Sequence, residues 1–414
     1  MQKIYIHLPV GILLLVWISV FYLHYNNPYH FIKISDSTLQ IIITGIFFLV
    51  LGYYFLNSFY LHDDHLPGDK GDIEINEAFW GKFILFISFF IAIGIFLVLI
   101  EISKITNGFK LYFENPFIVR ETLVKMTEEF SPQISIFRYK AGSYLCSLMY
   151  PLSSMGGMMM AQKSRWRFTG LLPLILVVFY SIVHLNRFGL ITSLCIWFFS
   201  MIYFGMYVSP LRRKVITRKT LLYISIAIIF VTVFFITIIR WRAFYVIDVE
   251  YLIRKSLYSY ISGPVSAFEK FVLSDEPLLY GASSFRSVIR WLARVGLMNK
   301  NIALATHGDF INISRGEPMF LNTYTFVKAL YQDFGLVGVG IISMIWGMLT
   351  RYLIERCFRQ FRIINLFLVS IFILSFVMTF YEFYFEGLSV LIYWSIVVFV
   401  MEKYLHERSI VKYA

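Results

Sequence analysis

The chain has 414 residues, a formal net charge of +12 and 58% hydrophobic residues, and only 15% of its residues are charged. The apolar residues occur in runs too long for a soluble core, which excludes a soluble globular domain and indicates a polytopic membrane protein. The positive charge suits anionic lipid headgroups or an anionic substrate. No nucleic-acid motif is present, and the three cysteines, which lie in or beside apolar runs, indicate no disulfide framework.

About ten membrane spans follow from the rule of about twenty apolar residues per crossing. Their predicted limits are 5–24, 39–60, 82–101, 141–162, 168–185, 188–208, 220–239, 330–352, 363–382 and 387–404. The N-terminal run has no small-residue cleavage site after it and is read as a retained span. The fourth run contains Pro151, Gly156 and Gly157 and is a candidate for a broken or re-entrant segment. The predicted fold is an all-α membrane protein with one transmembrane domain over residues 1–414.

The orientation follows from basic residues in short loops. The densest basic cluster lies within residues 209–220, which are therefore predicted to be cytoplasmic. Alternation then places both termini in the cytoplasm. It also places two long loops outside, at 102–140 and 240–329. The second of these loops is basic and aromatic, which suggests a site for something anionic at the bilayer surface.

The longer outer loop contains arginines at every fourth position. Residues 284–296 read SFRSVIRWLARVG, in which Arg286, Arg290 and Arg294 share one helical face and apolar residues cover the other. This pattern predicts an amphipathic helix that lies flat on the bilayer. Two interpretations stay open. The helix binds lipid headgroups, or its guanidinium groups bind a lipid-linked pyrophosphate in the bidentate geometry that suits phosphate oxygens.

Other charged residues lie at the outer ends of the predicted spans. Arg240 and Arg242 follow the seventh span, where snorkelling to the interface is the ordinary explanation. Arg187 lies in the tight turn HLNRFG between spans five and six, near His184, and snorkelling does not explain it. Asp333 lies at the edge of the eighth span, where its structural interpretation is an ion pair with an outer-loop arginine.

Three short motifs resemble those of one protein family. Tyr260 begins YISGPVSAF, Gly281 begins GASSF, and Asn322 begins NTYTF, which continues into YQDFGLVG from Tyr331. In this order, and over about residues 180–345, they resemble the Wzy-type O-antigen and capsule repeat-unit polymerases. The resemblance implies a GT-C-like glycosyltransferase of the bacterial cytoplasmic (inner) membrane. Such an enzyme moves a growing glycan from undecaprenyl pyrophosphate onto an incoming lipid-linked repeat unit.

This resemblance also implies partners: the undecaprenyl-pyrophosphate-linked donor and acceptor, membrane lipid, a chain-length regulator and a flippase. The leaving pyrophosphate needs positive charge, which arginine supplies, so no cofactor is expected. The predicted residues that bind substrate or pyrophosphate are Arg187, Arg240, Arg242, Arg286, Arg290, Tyr260, Asn322 and Tyr331. The candidate bases for the acceptor hydroxyl are Glu269, Asp333 and His184, with His307 as a further candidate. Lys255 and Lys300 are expected to be solvated.

Two acidic segments were candidates for metal ligands, and neither is favoured. Asp248 and Glu250 in the longer outer loop have no histidine nearby in the sequence. Residues 62–65 read HDDH, but four adjacent side chains cannot all face one ion without strain. We therefore expect arginines and not a metal to neutralise the pyrophosphate.

Three alternative functions remain open. An O-antigen ligase has a similar architecture but transfers its glycan to a different acceptor, the lipid A core. A transporter or flippase for lipid-linked glycans usually shows internal repeats and polar residues at mid-membrane, and neither is evident in the sequence. A membrane scaffold without chemistry is the third alternative.

Overall fold

The structure is a computed structural model that describes most of the helical part of the chain. It describes residues 7–56, 74–105, 110, 114, 119, 136–162, 165–184, 188–208, 233–234, 236–237, 240, 248–274, 277–294, 296–297, 311–315, 319–359, 361–382 and 388–411. The chain divides into two compact units. The first unit comprises Met1–Gly68, Arg254–Gln360 and Ile371–Tyr393, and the second comprises Asp69–Ile253, Phe361–Ser370 and Trp394–Ala414.

Helices make up nearly all of the described structure. They are α1 (Leu8–Tyr25), α2 (Asp36–Phe55), α3 (Glu77–Ile105), α4 (Ile136–Ser147), α5 (Met149–Met160), α6 (Leu172–Val183), α7 (Phe188–Val208), α8 (Val249–Leu273), α9 (Arg286–Arg294), α10 (Phe326–Arg359), α11 (Ile363–Val377) and α12 (Leu388–Ser409). Two 3₁₀ helices cover Arg165–Leu171 and Met378–Phe380. Strand β1 (Glu74–Ile75) pairs with β4 (Ile410–Val411), and β2 (Ile311–Asn312) pairs with β3 (Phe320–Leu321), both antiparallel.

Seven of the described helical segments are long and apolar enough to cross a membrane. They are Leu8–Tyr25, Asp36–Phe55, Glu77–Lys104, Arg165–Val183, Phe188–Tyr207, Phe326–Arg359 and Ile363–Phe380. Each corresponds to a predicted span, so the all-α, multi-span class is confirmed. The count of ten and the two long outer loops stay predictions.

The remaining three predicted spans have different outcomes. The fourth, 141–162, is broken between α4 and α5 near Leu148, although Pro151, Gly156 and Gly157 lie within α5 and not at the break. The seventh, 220–239, lies almost wholly outside the described residues. The tenth, 387–404, forms α12, which is not among the seven candidate spans.

Glycines allow α2 and α10 to pack in close contact in the first unit. A Cβ on Gly52 would lie 2.0 Å from the Met344 carbonyl oxygen, and one on Gly347 would lie 2.1 Å from the Leu49 carbonyl oxygen. A Cβ on Gly45 would lie 3.2 Å from a methyl group of Val339. From Gly45 to Tyr53 the contacts of α2 move from Val339 to Arg351 on α10, so the helices run in the same direction, as the charge alternation predicts for spans two and eight.

Buried tryptophans complete the core of the first unit. The Trp17 indole N–H donates to the Thr379 hydroxyl at 3.0 Å, and the Trp346 N–H donates to the Ser375 hydroxyl at 3.0 Å. The Phe326 ring lies against Trp346 with centroids 5.7 Å apart. Each indole therefore buries a large apolar surface while its single polar group keeps a partner.

The second unit is centred on the short helix α5, most of which is buried. The Ser200 hydroxyl lies 2.8 Å from that of Ser154 on α5 and 2.7 Å from that of Ser370. Ser370 in turn donates to the Leu366 carbonyl at 2.9 Å. Hydroxyl bonds of this kind satisfy polar side chains between apolar helices and help to hold those helices together.

Candidate functional site at the break in α10

Helix α10 is interrupted at Gly335. The φ and ψ angles of this residue are 63° and −162°, which lie outside the helical region and are adopted mainly by glycine. Beyond the break, the apolar side chains of Leu336 and Val337 are 50% and 71% exposed, as expected for a helix that begins to face lipid. Before it, the segment 326–334 is mostly buried. The DFG sequence of the third motif therefore lies at the break in α10, between a mostly buried segment and exposed apolar residues.

The GASSF segment is anchored at this break by hydrogen bonds. The buried carboxylate of Asp333 accepts the Ser283 N–H at 2.9 Å and the Ser284 N–H at 2.5 Å. The Leu279 N–H donates to the Gln332 carbonyl at 3.0 Å. The interpretation of Asp333 as the ion-pair partner of an arginine is therefore replaced by one in which it binds two backbone amides. These amides immediately precede α9, so the carboxylate also lies at the positive end of that helix.

Helix α9 forms where the spacing of arginines predicts it. Arg286 and Arg290 are both half-buried, and they are one helical turn apart. Ala293, two turns after Arg286 and so on nearly the same helical face, is buried, while the Trp291 ring on the other side is 57% exposed. The side chain of Arg294 lies outside the described residues. Two arginines thus lie on the helix that directly follows the segment bound to Asp333.

Lys328 is a cation at this site that the sequence analysis missed. Its ammonium group lies 5.0 Å from the centre of the Phe271 ring and 4.9 Å from that of Tyr324. It also donates to the Gln332 side-chain oxygen at 2.7 Å. The i, i+4 spacing of lysine and glutamine on α10 could have indicated this bond, and Tyr324 is four residues before Lys328, but Phe271 comes from α8, a distant part of the chain.

The segment between α1 and α2, here called the strap (residues 26–35), lies against α8 and the β2–β3 hairpin. The Ile32 N–H donates to the Ile313 carbonyl at 2.9 Å, and the Ser266 hydroxyl on α8 donates to the Ile32 carbonyl at 2.8 Å. An irregular segment must find partners for its backbone polar groups, and Ser266 and Glu269 of α8 bond the strap backbone at Ile32 and Ser35.

Glu269 is the second candidate base, and it holds the C-terminal end of the strap. Its Oε2 accepts the Ser35 N–H at 2.8 Å and the Ser35 hydroxyl at 3.0 Å. The carboxyl is 3% exposed. The imidazole of His24 lies near this carboxylate, and its Nε2 accepts the Ile34 N–H at 3.4 Å. His24 had no neighbouring motif in the sequence and was not predicted to be part of the site.

Glu269 belongs to a buried polar stripe along α8. The stripe consists of Lys255, Ser259, Ser262, Ser266 and Glu269, spaced three and four residues apart on one helical face. The expectation that Lys255 is solvated is wrong, because this residue is 9% exposed. The burial of α8 could not be read from its sequence, whose polar face resembles that of a solvated helix.

The YISGPVSAF motif provides close packing around this stripe. A Cβ on Gly263 would lie 2.9 Å from Ile313 and 3.0 Å from Leu321, so glycine lets the β2–β3 hairpin approach α8. The Tyr331 ring of the third motif contacts Phe268 edge-on, with centroids 6.2 Å apart. The structure therefore brings parts of all three motifs together in the first unit.

The other predicted binding residues of the first unit differ in exposure. Tyr260 stacks against Tyr381 with centroids 6.3 Å apart and is half-buried. Asn322 is exposed directly after β3. Neither observation assigns a ligand, and both roles stay predictions.

Several predicted residues lie in the second unit or outside the described chain. His184 is 8% exposed and contacts the Tyr180 ring at 4.3 Å between centroids. Arg240, Asp248 and Glu250 are exposed residues of the second unit. Those outside the described residues are Arg187, Arg242, Lys300, His307 and the segment 62–65.

No cluster of three or more histidine, cysteine, aspartate or glutamate side chains with metal-site geometry occurs among the residues that the structure describes.

Comparison with known proteins adds no family assignment. The sequence matches no family model, and no curated protein or solved structure shows detectable similarity to it. The resemblance to the repeat-unit polymerases therefore rests on the three motifs themselves.

Proposed function

We propose that this protein is a membrane glycosyltransferase that polymerises undecaprenyl-pyrophosphate-linked repeat units into O-antigen or capsular polysaccharide. The observation that carries the proposal is the meeting of the three motifs beside the α10 break, where α9 presents Arg286 and Arg290. Side chains at the outer end of a membrane span are at the depth where a polyprenyl pyrophosphate headgroup must lie. The leaving pyrophosphate needs positive charge at that depth, and because arginine can supply this charge, no cofactor is proposed.

The two arginines are proposed to bind the pyrophosphate of the donor. Their planar forks form paired hydrogen bonds with phosphate oxygens and stabilise the negative charge that grows on the leaving group. Asp333 and Glu269 are both buried and bound to backbone amides. We therefore propose that these carboxylates position the GASSF segment and the strap, in place of the role of acceptor base predicted from the sequence.

A flippase for the same lipid-linked glycans is the second candidate function. Discontinuous helices often line transport sites, and both α10 and the α4–α5 segment are interrupted. A flippase moves its substrate without changing it, whereas a polymerase lengthens the glycan and releases polyprenyl pyrophosphate. A ligase would release the same lipid but would require lipid A core as acceptor. The product formed by the purified protein therefore separates all three functions.

The test of this proposal is polymerisation by the purified full-length protein with lipid-linked repeat units in detergent and excess EDTA. Wild-type protein should form long glycans. The Arg286→Lys and Arg290→Lys variants keep the positive charge but lose the planar guanidinium group that forms two parallel hydrogen bonds with phosphate. Each should lower the rate of polymerisation about ten- to a hundredfold. Arg315→Lys is a control, because the Arg315 side chain is exposed and the residue contacts the strap through its backbone N–H.

Three outcomes would contradict the proposal. Normal rates in both arginine variants would place the site elsewhere. Activity lost in EDTA and restored by Mg²⁺ would make a metal ion the neutralising group. A single glycan transfer to lipid A core, without polymer, would identify a ligase.

The proposed location is the bacterial cytoplasmic membrane, with both termini in the cytoplasm and the α10 break at the outer face. A cysteine at exposed Asn322 (Asn322→Cys) should react with a membrane-impermeant maleimide added to intact spheroplasts. The three native cysteines are buried or half-buried and should react little, and a chain without added cysteine is the control. Labelling that requires permeabilisation would reverse the orientation and move the site to the cytoplasmic face.

A further inference from the structure

Tyr280 has an unusual backbone conformation. Its φ angle is 47°, in the left-handed region where a Cβ crowds the following carbonyl oxygen. Among the described residues, the other non-glycine residue with positive φ is His30. Histidine, asparagine and aspartate are enriched in this region, whereas a bulky residue there is an outlier. A tyrosine at this position is therefore unfavourable for folding.

The side chain of Tyr280 does not offset this strain. Its ring is 81% exposed, so little apolar surface is removed from water. Backbone hydrogen bonds fix the chain on both sides of Tyr280. The Leu279 N–H donates to the Gln332 carbonyl at 3.0 Å, and the Ala282 N–H donates to the Leu279 carbonyl at 3.1 Å, which closes a turn around Tyr280. Strained residues that are held from both sides occur preferentially at binding sites.

The position of the ring relative to the arginines suggests what it binds. A single turn connects Tyr280 to the start of α9, closed by a 3.0 Å bond from the Phe285 N–H to the Gly281 carbonyl. The backbones of Tyr280 and Arg286 are thus separated by six residues of tightly turned chain, on the order of 10 Å. That is the scale of a pyrophosphate followed by one sugar ring. No acidic residue occurs between 277 and 297 in the sequence, and the Asp333 carboxylate beside this segment is bound to the Ser283 and Ser284 amides.

We propose that Tyr280 stacks on the first sugar of a lipid-linked glycan whose pyrophosphate binds Arg286 and Arg290. This inference rests on the proposed function and names the part of the substrate that Tyr280 recognises. The face of an aromatic ring carries partial negative charge and attracts the C–H groups on one face of a pyranose. Because the backbone at Tyr280 is fixed by the turn, only its two side-chain torsions have to be ordered when the ring makes such a contact.

The test compares two probes that differ only in the sugar: undecaprenyl pyrophosphate and the same lipid carrying one hexose. Binding to the purified full-length protein is measured in detergent. Tyr280→Asn should raise the Kd for the hexose-bearing probe about three- to tenfold and leave the Kd for the bare lipid unchanged. Tyr280→Phe keeps the ring and should bind both probes normally. Arg286→Ala should weaken binding of both probes.

Thermal stability provides a second readout. Asparagine tolerates positive φ better than tyrosine, so Tyr280→Asn should melt at the same temperature as the wild type or higher. If the variant is as stable as the wild type but binds the sugar-bearing probe less well, Tyr280 serves binding and not folding. A lower melting temperature together with an equal rise in the Kd for both probes would show that Tyr280 has a structural role and would overturn the proposal.

The remaining outcomes separate this inference from the proposed function. If Tyr280→Asn weakens the binding of both probes equally without loss of stability, the ring anchors the protein at the membrane interface and the inference fails. If the wild type binds both probes and the variant changes neither Kd, the inference fails while the proposed function stands. If the wild type binds neither probe, the proposed function fails and the inference fails with it.

Discussion

Replacement of Asp333 by asparagine is expected to release helix α9 from the α10 break. The carboxylate accepts two backbone N–H groups, from Ser283 and Ser284, and is fully buried. An amide of the same size has one acceptor oxygen, so one of the two N–H groups would lose its partner and face an NH₂ group. Losing a charged, buried hydrogen bond costs about 1.5–3 kcal/mol.

This loss should appear as faster amide hydrogen exchange in residues 281–294. A cost of about 1.5–3 kcal/mol corresponds to roughly ten- to a hundredfold faster exchange if the segment opens locally. Exchange measured by mass spectrometry on the full-length protein in detergent resolves this segment and requires no substrate. The result is therefore independent of the proposed enzymatic function.

Glu269→Gln is the matched control for Asp333→Asn. Its carboxylate is also buried and also binds backbone, but its partner is Ser35 at the end of the strap. This variant should speed exchange in residues 32–38 and leave residues 281–294 unchanged. If Asp333→Asn left the exchange of residues 281–294 at the wild-type rate, its carboxylate would not be the anchor of α9.

A methyl group at Gly52 is expected to destabilise the first unit. In the Gly52→Ala variant the new Cβ would lie 2.0 Å from the Met344 carbonyl oxygen. The obstacle is backbone, which cannot move aside as a flexible side chain can, so α2 and α10 must separate. Overpacking in a close-packed interior costs about 1–3 kcal/mol, and more when backbone must move.

The control for this variant is Gly11→Ala on α1. A Cβ at Gly11 has no heavy atom within 4 Å, and alanine favours helix over glycine by about 1 kcal/mol. Gly52→Ala should lower the melting temperature in detergent or abolish folded expression, whereas Gly11→Ala should leave it unchanged or raise it. Equal melting temperatures for the two variants would show that α2 and α10 are not in close contact at Gly52.

The sequence alone determined where most helices lie and where the arginines are placed. Lipid cannot hydrogen-bond a peptide group, so a membrane span must be a long apolar run that is visible without tertiary information. Seven predicted spans correspond to apolar helices for this reason. Helix α9 was equally predictable, because a four-residue repeat of arginine places charge on one helical face whatever surrounds it.

Only the tertiary structure decided the roles of the buried polar residues. Asp333 was expected to bind an arginine and instead binds the amides of Ser283 and Ser284, about fifty residues away. His24 and Glu269 meet because the strap runs against α8, and Lys255 is buried on the same face of α8. Residue type and spacing indicate which polar side chains need hydrogen-bond partners. Which partners they find depends on contacts between distant segments, whose geometry local periodicity does not encode.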